Sequence, residues 1–205
     1  MVIPDHETSQ RPLSEIVKQP TFIVAVLSAM IGYGVMSLIM TATPLAMVGC
    51  GHAPSDSFNV ISWHVVAMFG PSFFTGSLIS RYGEYRIIIL GALLGLGSVI
   101  VSLIGLELAN FYIALVLLGL SWNFMFIGGT TLVATTYRPS ETAKVQGLND
   151  FMVFGTVATA SLMSGQLQER FGWEVVNLGA LPLLGFVILL ALWSMRGQRR
   201  RVAAE

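Results

Sequence analysis

The chain has 205 residues, of which 54% are hydrophobic and only 11% are charged. A soluble domain carries about 25% charged residues, so the composition excludes an ordinary soluble domain and indicates a membrane protein. The 11 basic and 11 acidic residues give a formal net charge of zero, which provides no argument for a nucleic-acid partner. The one cysteine, Cys50, excludes an internal disulfide bond and a cysteine-based metal site, and we expect neither a metal nor a cofactor.

Six apolar helices are predicted in chain order. A run of about 20 apolar residues is needed to cross a hydrocarbon core of about 30 Å at the helical rise. Such runs occupy residues 21–40, 58–80, 87–106, 111–137, 146–168 and 175–195. Residues 1–20 contain acids and prolines but no apolar core, so they are not expected to form a secretory signal peptide. The predicted fold class is therefore an all-α integral membrane protein, with a six-helix domain at residues 21–195.

The distribution of basic residues fits one orientation in the membrane, because lysine and arginine accumulate in cytoplasmic loops. With both termini in the cytoplasm, ten of the eleven basic residues are cytoplasmic and only Arg170 lies outside. The ten are Arg11, Lys18, Arg81, Arg86, Arg138, Lys144, Arg196, Arg199, Arg200 and Arg201. We therefore expect a cytoplasmic N-terminal segment at residues 1–20. We also expect a basic cytoplasmic tail at residues 196–205 that binds anionic lipid.

A shift of 89 residues aligns the chain with itself. It matches "GSLISRYG" (76–83) to "GQLQERFG" (165–172) at the two glycines, the leucine and the arginine. The same shift pairs Tyr33 with Trp122 and Met36 with Met125, although apolar residues this common also pair by chance. Residues 21–106 and 111–195 are thus predicted to be repeats. Each copy crosses the membrane three times, so the second is inverted relative to the first, as is typical of secondary transporters.

The loop between the second and third predicted helices carries the pattern Gly-x-Leu-x-x-Arg-x-Gly, followed by another basic residue. This pattern resembles the loop signature of the major facilitator superfamily. The matching residues are Gly76, Leu78, Arg81, Gly83 and Arg86. Ser80 and Glu84 depart from the signature, because the family usually has an aspartate and a basic residue there. The segments "PLSEIVKQPTF" (12–22) and "LLGLSWNFMFIGGTTLVATTY" (117–137) also resemble the central linker and the tenth helix of that family.

The whole chain resembles the C-terminal six-helix half of a twelve-helix transporter. The resemblance implies a secondary active transporter that moves a small solute by alternating access, coupled to protons, in a bacterial cytoplasmic (inner) membrane. It also implies a second six-helix half, which is a missing N-terminal half, a separate chain or a second copy of this chain. The alternative is a membrane subunit that binds or assembles without transporting, or an inactive fragment of a transporter.

An intramembrane protease is a further class of protein to consider, because the chain has six predicted helices and the sequence Gly-Leu-Ser in the fourth. That chemistry requires a serine nucleophile and a histidine base brought together from different helices. Ser121 is followed by Trp122 and Asn123, and no histidine occurs after His64. The sequence therefore predicts a protein that is not an enzyme.

An aromatic and polar stripe marks the candidate substrate path. On the fourth predicted helix, residues four apart place aromatic and hydroxyl groups on one face, and the 89-residue shift maps this face onto the first helix. The stripe consists of Trp122, Phe126 and Thr130, with Tyr33, Ser37 and Thr41 as counterparts. Asn123 is a strongly polar residue beside it. The resemblance implies that these two helices line the solute path, whereas simple helix packing is the alternative.

Four further ionisable groups are candidates for gating and coupling. Arg81 and Arg86 are expected at the headgroup level, where they can bind a carboxylate across a cytoplasmic gate; the alternative is a plain positively charged turn. The resemblance implies that Asp150, early in the fifth helix, meets the Gly-x-Leu-x-x-Arg loop of the other half, unless it is simply a solvated acid. His64 lies about six residues into its helix and is a possible proton site, although a histidine bonded to a neighbouring backbone is the commoner situation.

Overall fold

The computed structural model describes the backbone of residues 10–202 and the side chains of residues 10–197. Within this range the chain is helical, with seven α-helices, one short 3₁₀ helix and no strand. The α-helices are α1 (Leu13–Ile16), α2 (Pro20–Gly49), α3 (Pro54–Phe69), α4 (Ser72–Tyr82), α5 (Glu84–Ile104), α6 (Leu108–Ala134) and α7 (Thr142–Val202). The 3₁₀ helix is Pro139–Glu141. Residues 1–9 and the side chains of Arg199, Arg200 and Arg201 lie outside the described part, so the structure does not test the basic tail.

Four helical stretches of the described chain are long and apolar enough to cross a membrane. They are Pro20–Gly49, Glu84–Ile104, Leu108–Ala134 and the apolar part of Pro139–Gly197. This assignment rests on length and composition. An all-helical chain with several such segments is an integral membrane protein, because a helix satisfies its own backbone hydrogen bonds in lipid.

The predicted span at residues 58–80 consists of two helices rather than one. α3 ends at Phe69 and α4 begins at Ser72, with Gly70 and Pro71 between them. Proline has no amide hydrogen, and its ring clashes with the carbonyl four residues earlier, so a helix breaks there. The chain resumes helical bonding at once, since the Thr75 amide donates to the Pro71 carbonyl over 2.8 Å. Neither piece alone has the length of a span.

The two last predicted spans lie within α7, which is 61 residues long. The helical backbone is interrupted at Gly172, where φ is 78° and ψ is 175°. α7 therefore contains two helical stretches, residues 142–171 and 173–202. The interruption falls between the apolar runs 146–168 and 175–195, where the sequence predicts a connection.

Gly83 and Gly172, which end the two copies of the repeated loop pattern, have the same backbone conformation. Gly83 has φ 83° and ψ 155°, close to the values at Gly172. This region favours glycine because a Cβ atom would be strained there. Among the described residues only three have positive φ, all of them glycines, and the third is Gly51. The 89-residue shift thus relates two glycines with the same backbone conformation.

α6 lies at the centre of the bundle and contacts α2, α3 and α5. Two glycines of α6 allow backbones to approach closely. A Cβ atom at Gly119 would lie 2.6 Å from the His64 carbonyl oxygen of α3, and one at Gly129 would lie 2.9 Å from the Ala25 carbonyl oxygen of α2. Small residues at helix crossings are typical of packing in membranes, where close contact provides much of the attraction. These contacts fix the positions of α2 and α3 around α6 and hence the geometry of the candidate site.

Candidate functional site

An aromatic cluster forms where α2 crosses α6. The Tyr33 ring of α2 contacts Trp122 and Phe126 of α6 edge-on, with centroids 5.2 Å from each. Trp122 stacks on Phe126 at 5.2 Å and an interplanar angle of 13°. Phe69 lies 5.5 Å from Trp122, and Phe154 of α7 lies 6.0 Å from Tyr33. We call these five residues the aromatic cluster; three of them come from the stripe identified in the sequence.

The aromatic cluster has a buried centre and an exposed rim. Trp122 is 5% exposed, whereas Phe69 is 56% and Phe154 53% exposed. Aromatic rings in edge-on and stacked contact form a rigid apolar surface that accepts another flat ring. The two exposed rings are the part of the aromatic cluster that a planar solute can contact in this conformation.

The hydroxyl groups of the stripe lie next to the aromatic cluster. Ser37 is buried one turn after Tyr33 on α2, and Thr41 one turn further is half-buried. The Thr130 hydroxyl is already bonded within its own helix, since it donates to the Phe126 carbonyl over 2.9 Å. The Thr130 hydroxyl is thus engaged within α6, and contact of Ser37 or Thr41 with a solute stays a prediction.

Asn123 is fully buried and is bonded to the junction of α3 and α4. Its side-chain nitrogen donates to the Met68 carbonyl over 2.6 Å and to the Ser72 hydroxyl over 2.8 Å. Its oxygen accepts a bond from the Thr75 hydroxyl over 2.6 Å. The amide therefore holds together the helix break at Pro71, and in this conformation all of these contacts are internal. A direct role of Asn123 in solute binding stays a prediction.

His64 is fully buried on α3 and faces α6. Its Nδ1 lies 2.7 Å from the Leu115 carbonyl oxygen. Because a carbonyl can only accept, Nδ1 carries the hydrogen in the neutral ring, and Nε2 is left with a lone pair. That lone pair has no partner within the described chain. The structure thus contains the hydrogen bond to a neighbouring backbone that was the alternative to a proton site. It also leaves Nε2 with a lone pair that can bind a proton.

The residues of the Gly-x-Leu-x-x-Arg pattern, predicted as a loop, lie mostly in the last turns of α4, with Gly83 between α4 and α5 and Arg86 in the first turn of α5. Arg81 and Arg86 are exposed, and the Arg81 guanidinium lies 5.4 Å from the Tyr82 ring centroid. Gly76 and Gly83 have no Cβ atom, which allows a neighbouring helix to approach closely. Among the described atoms nothing lies within 4 Å of a Cβ placed at either position, so no such approach occurs inside the described chain. Gly83 has a positive φ, which glycine adopts readily.

Asp150 is exposed near the start of α7 and is not brought together with the loop. One of its carboxylate oxygens accepts a bond from the Asn149 side chain over 3.2 Å. Within residues 10–197 the structure has a single ion pair, and it involves neither Asp150 nor Arg81. Leu78, the remaining residue of the loop pattern, is half-buried against Ile79, Ile87 and Phe124.

That single ion pair joins Arg11 to Glu141 and was not predicted. The Arg11 Nη2 and Nε atoms donate to the Glu141 carboxylate over 2.7 Å and 3.1 Å. The backbone amides of Arg11 and Arg138 donate to the same carboxylate over 2.8 Å and 2.9 Å. Lys144 donates in turn to the Arg11 carbonyl. These bonds fasten the segment that precedes α2 to the loop between α6 and α7.

The environment of Glu141 explains its charge state. Glu141 lies in the 3₁₀ turn ahead of the apolar run 146–168, outside the membrane-spanning part, and its side chain is fully enclosed by the protein. The Arg11 guanidinium, and next the Arg138 amide, lower the pKa of the Glu141 carboxyl to about 2. The sequence "RPSE" carried a local signal, because a carboxylate three residues into a helical turn often bonds back to the residue before it. No local pattern pointed to Arg11.

An apolar groove of about 700 Å³ lies between α2 and α7. It is open at the surface and is lined by Met30, Gly34, Leu38, Phe151, Thr156 and Met163, among others. Phe151 is 78% and Leu162 79% exposed on the same helix. These two large apolar side chains are mostly exposed, so the face is available to lipid or to a second helical unit.

The fold defines a helical integral membrane protein with an aromatic cluster between its central helices. The profile of the Major Facilitator Superfamily matches residues 21–205. The chain therefore belongs to the major facilitator superfamily, a family of transporters rather than enzymes.

Curated relatives are found in several bacteria. The chain is 46% identical over 200 residues to the riboflavin transporter RfnT of Brucella anthropi, covering 98% of this chain and 50% of that protein. It is 36% identical over 164 residues to the uncharacterized MFS-type transporter YdeG of Bacillus subtilis, covering 78% of this chain and 38% of YdeG. A second uncharacterized MFS-type transporter of that organism, YddS, is 32% identical over 164 residues, with 79% and 38% covered. The chain thus spans about half the length of RfnT and less of the other two.

Proposed function

We propose that this chain is one half of a transporter that moves riboflavin, or a similar planar heteroaromatic solute, across the cytoplasmic membrane by alternating access. The aromatic cluster carries this proposal. A fused-ring solute gains most from flat, rigid aromatic walls, and Tyr33, Trp122 and Phe126 provide them at the crossing of two central helices. The identity of 46% with RfnT supports riboflavin as the first solute to test.

The proposed architecture has six membrane spans in two inverted repeats, residues 21–106 and 111–195, with both termini cytoplasmic. In it, α3 and α4 together form the second span, and the two stretches of α7 form the fifth and sixth. The shared backbone conformation of Gly83 and Gly172 supports this relation, since it recurs at the shift of 89 residues that aligns the loop patterns. Residues 196–205 would form the cytoplasmic tail.

The proposed partner is a second six-helix half, which closes the other side of the solute path. Three features support it. The groove between α2 and α7 leaves apolar side chains uncovered, and Arg81, Arg86 and Asp150 are charged groups without an ion-pair partner in the described chain. The chain also spans 50% of RfnT. The other half is a segment of the same protein, a separate chain or a second copy.

Coupling to protons is proposed to involve His64. Its Nε2 has a lone pair without a hydrogen-bond partner among the described residues, while Nδ1 is fixed by the Leu115 carbonyl. A proton bound at Nε2 would place a charge in a fully buried site next to the crossing of α3 and α6. Such a charge favours whichever conformation of the transporter admits water or a counter-charge to that site.

A chimera tests the proposed function. RfnT in which the matching segment is replaced by this chain is expressed in a bacterium that cannot make riboflavin, with intact RfnT as the positive control. Growth on limiting riboflavin and uptake of labelled riboflavin are expected, and both are expected to fall when Trp122→Ala and Phe126→Ala are introduced together. A chimera that inserts in the membrane and binds riboflavin without moving it would support the alternative of a binding or assembly subunit. A chimera that inserts but neither binds nor moves riboflavin contradicts the proposal.

A further inference from the structure

The chain has four tryptophans, and they differ in what their indole N–H groups contact. Trp63 and Trp193 are 59% and 62% exposed. Trp173 is buried, and its N–H donates to the Ser102 carbonyl over 3.1 Å. Trp122 is equally buried, but its N–H has no hydrogen-bond partner within the described residues. Of the two buried tryptophans, Trp173 therefore has a hydrogen-bond acceptor for its N–H within the described residues and Trp122 has none.

The surroundings of Trp122 are aromatic. Its ring is in contact with Tyr33, Phe69 and Phe126. Aromatic rings accept hydrogen bonds only weakly, and they cannot replace a carbonyl or water oxygen as partner for an N–H group. A buried donor without an acceptor is costly and rare in folded proteins. Seven buried side-chain atoms of the described residues lack a partner, and the Trp122 N–H is the one that belongs to the aromatic cluster, where an acceptor on a bound ligand would satisfy it.

We propose that the Trp122 N–H is the specificity-determining donor of the site and binds a ring carbonyl oxygen of the solute. The proposal rests on the proposed function, because it takes the aromatic cluster to be the solute site. A flavin ring fits the chemistry, since it is planar and carries two carbonyl groups on one edge. The flat faces of Phe126 and Trp122 select for planarity, and the N–H selects for an acceptor at the ring edge. Rings of the same size without that acceptor leave the donor unpaired and bind less well.

The experiment compares two chemical changes, one in the protein and one in the ligand. Trp122→Phe retains an aromatic ring and removes the N–H. Flavins in which one ring carbonyl oxygen is replaced by sulfur retain the ring and weaken the acceptor. Binding of riboflavin is measured by flavin fluorescence and that of each thio analogue by its competition with riboflavin, with the unmodified protein and the variant in the chimera described above.

The unmodified protein is expected to bind riboflavin about 3- to 10-fold more tightly than at least one thio analogue, the range for one neutral hydrogen bond. Trp122→Phe should weaken riboflavin binding by a similar factor and abolish the preference for riboflavin over its thio analogue. Trp193→Phe is the matched control, and it should change neither value because Trp193 is exposed on α7. Phe126→Leu should weaken all the flavins alike and leave the preference intact.

Three results would overturn the inference. If Trp122→Phe keeps both the affinity and the preference, the N–H contacts no ring carbonyl. If the variant folds, as judged by its elution and unfolding temperature, and loses affinity for all flavins equally, Trp122 acts through stacking alone. If the unmodified protein binds no flavin at all, the proposed function and this inference fail together, whereas the first two results leave the function standing.

Discussion

Patterns in the sequence identified three residues of the aromatic cluster, namely Tyr33, Trp122 and Phe126. Spacing by four residues places Trp122 and Phe126 on one face of a helix, and the shift of 89 residues pairs Trp122 with Tyr33. The structure brings all three rings into contact. The same rules did not predict the contacts of Asn123. Its partners at Met68, Ser72 and Thr75 depend on how a broken helix lies against α6, and no periodic pattern in the sequence encodes that.

The ion pair between Arg11 and Glu141 leads to a prediction about acid stability. The pKa of Glu141 in the folded chain is about 2, below its ordinary value of 4.5. A carboxyl with a lowered pKa contributes stability at pH values above 4.5, and this contribution is lost as the pH falls from 4.5 towards 2. The purified chain should therefore show a falling unfolding temperature across this window.

Glu141→Gln removes the titrating group, and Arg11→Gln removes its main partner. Both variants should be less stable than the unmodified chain at pH 7, and the difference should shrink as the pH falls towards 2. Glu15→Gln is the control, because Glu15 is exposed and outside the ion pair. Parallel curves for all the variants between pH 2 and pH 7 would show that the pair does not stabilise the fold.

For the helices, the sequence prediction and the structure differ mainly in the positions at which the apolar runs are interrupted. Hydropathy averages over about 20 residues, so the run at 58–80 is predicted as one helix although Pro71 divides it. The interruption of α7 at Gly172 falls where the sequence predicts a connection between two apolar runs, because charged residues and a glycine occur together there. Contacts such as Arg11 with Glu141, which are 130 residues apart, follow from tertiary structure that local signals do not report.

The break between α3 and α4 leads to a prediction for Asn123. Asn123→Leu leaves the Met68 carbonyl and the Ser72 hydroxyl without their partner on α6, at about 1–3 kcal/mol for each buried group that stays unpaired. The unfolding temperature of the purified chain should fall clearly. Asn110→Leu on the same helix should have a small effect, because the Asn110 nitrogen makes one long bond of 3.4 Å.

Asn123→Ser separates the structural role of Asn123 from a role in solute binding. This variant keeps a polar group and should lose stability with unchanged riboflavin affinity. A loss of affinity at unchanged stability would instead make Asn123 part of the solute path, as the sequence pattern predicts.

For the whole molecule, the proposed topology can be tested by cysteine labelling. In a Cys50→Ser background, a cysteine at Ala53 or at Gly197 is exposed on the described surface, before α3 and near the end of α7 respectively. With both termini cytoplasmic, Ala53→Cys should react with a membrane-impermeant thiol reagent in intact cells. Gly197→Cys should react only after the cells are opened. The opposite result at both positions would invert the topology.

The last prediction concerns how two halves meet at the cytoplasmic gate. Arg81 and Asp150 are exposed, lie on different elements and have no ion pair with each other or with any other described residue. In the proposed architecture each faces the other half, so Asp150 meets an arginine of the partner loop. If the partner is a second copy, that arginine is Arg81. Assembly removes water from this ion pair, so a variant that lacks one of its two side chains should be less stable in the assembled form, because the remaining charge has no counter-ion.

Asp150→Asn and Arg81→Gln should each reduce riboflavin uptake or the dimer population, and a cost of about 1.4 kcal/mol already corresponds to a tenfold shift in either equilibrium. The double variant should lose less than the sum of the single losses, because the second change removes a charge that the first left unpaired. Arg86→Gln, in the first turn of α5, is a control for loss of positive charge near Arg81. Strictly additive losses would exclude direct pairing between copies of the chain. They would leave Asp150 as a solvated acid near the start of its helix, with the gate contact, if one forms, made by a partner half of different sequence.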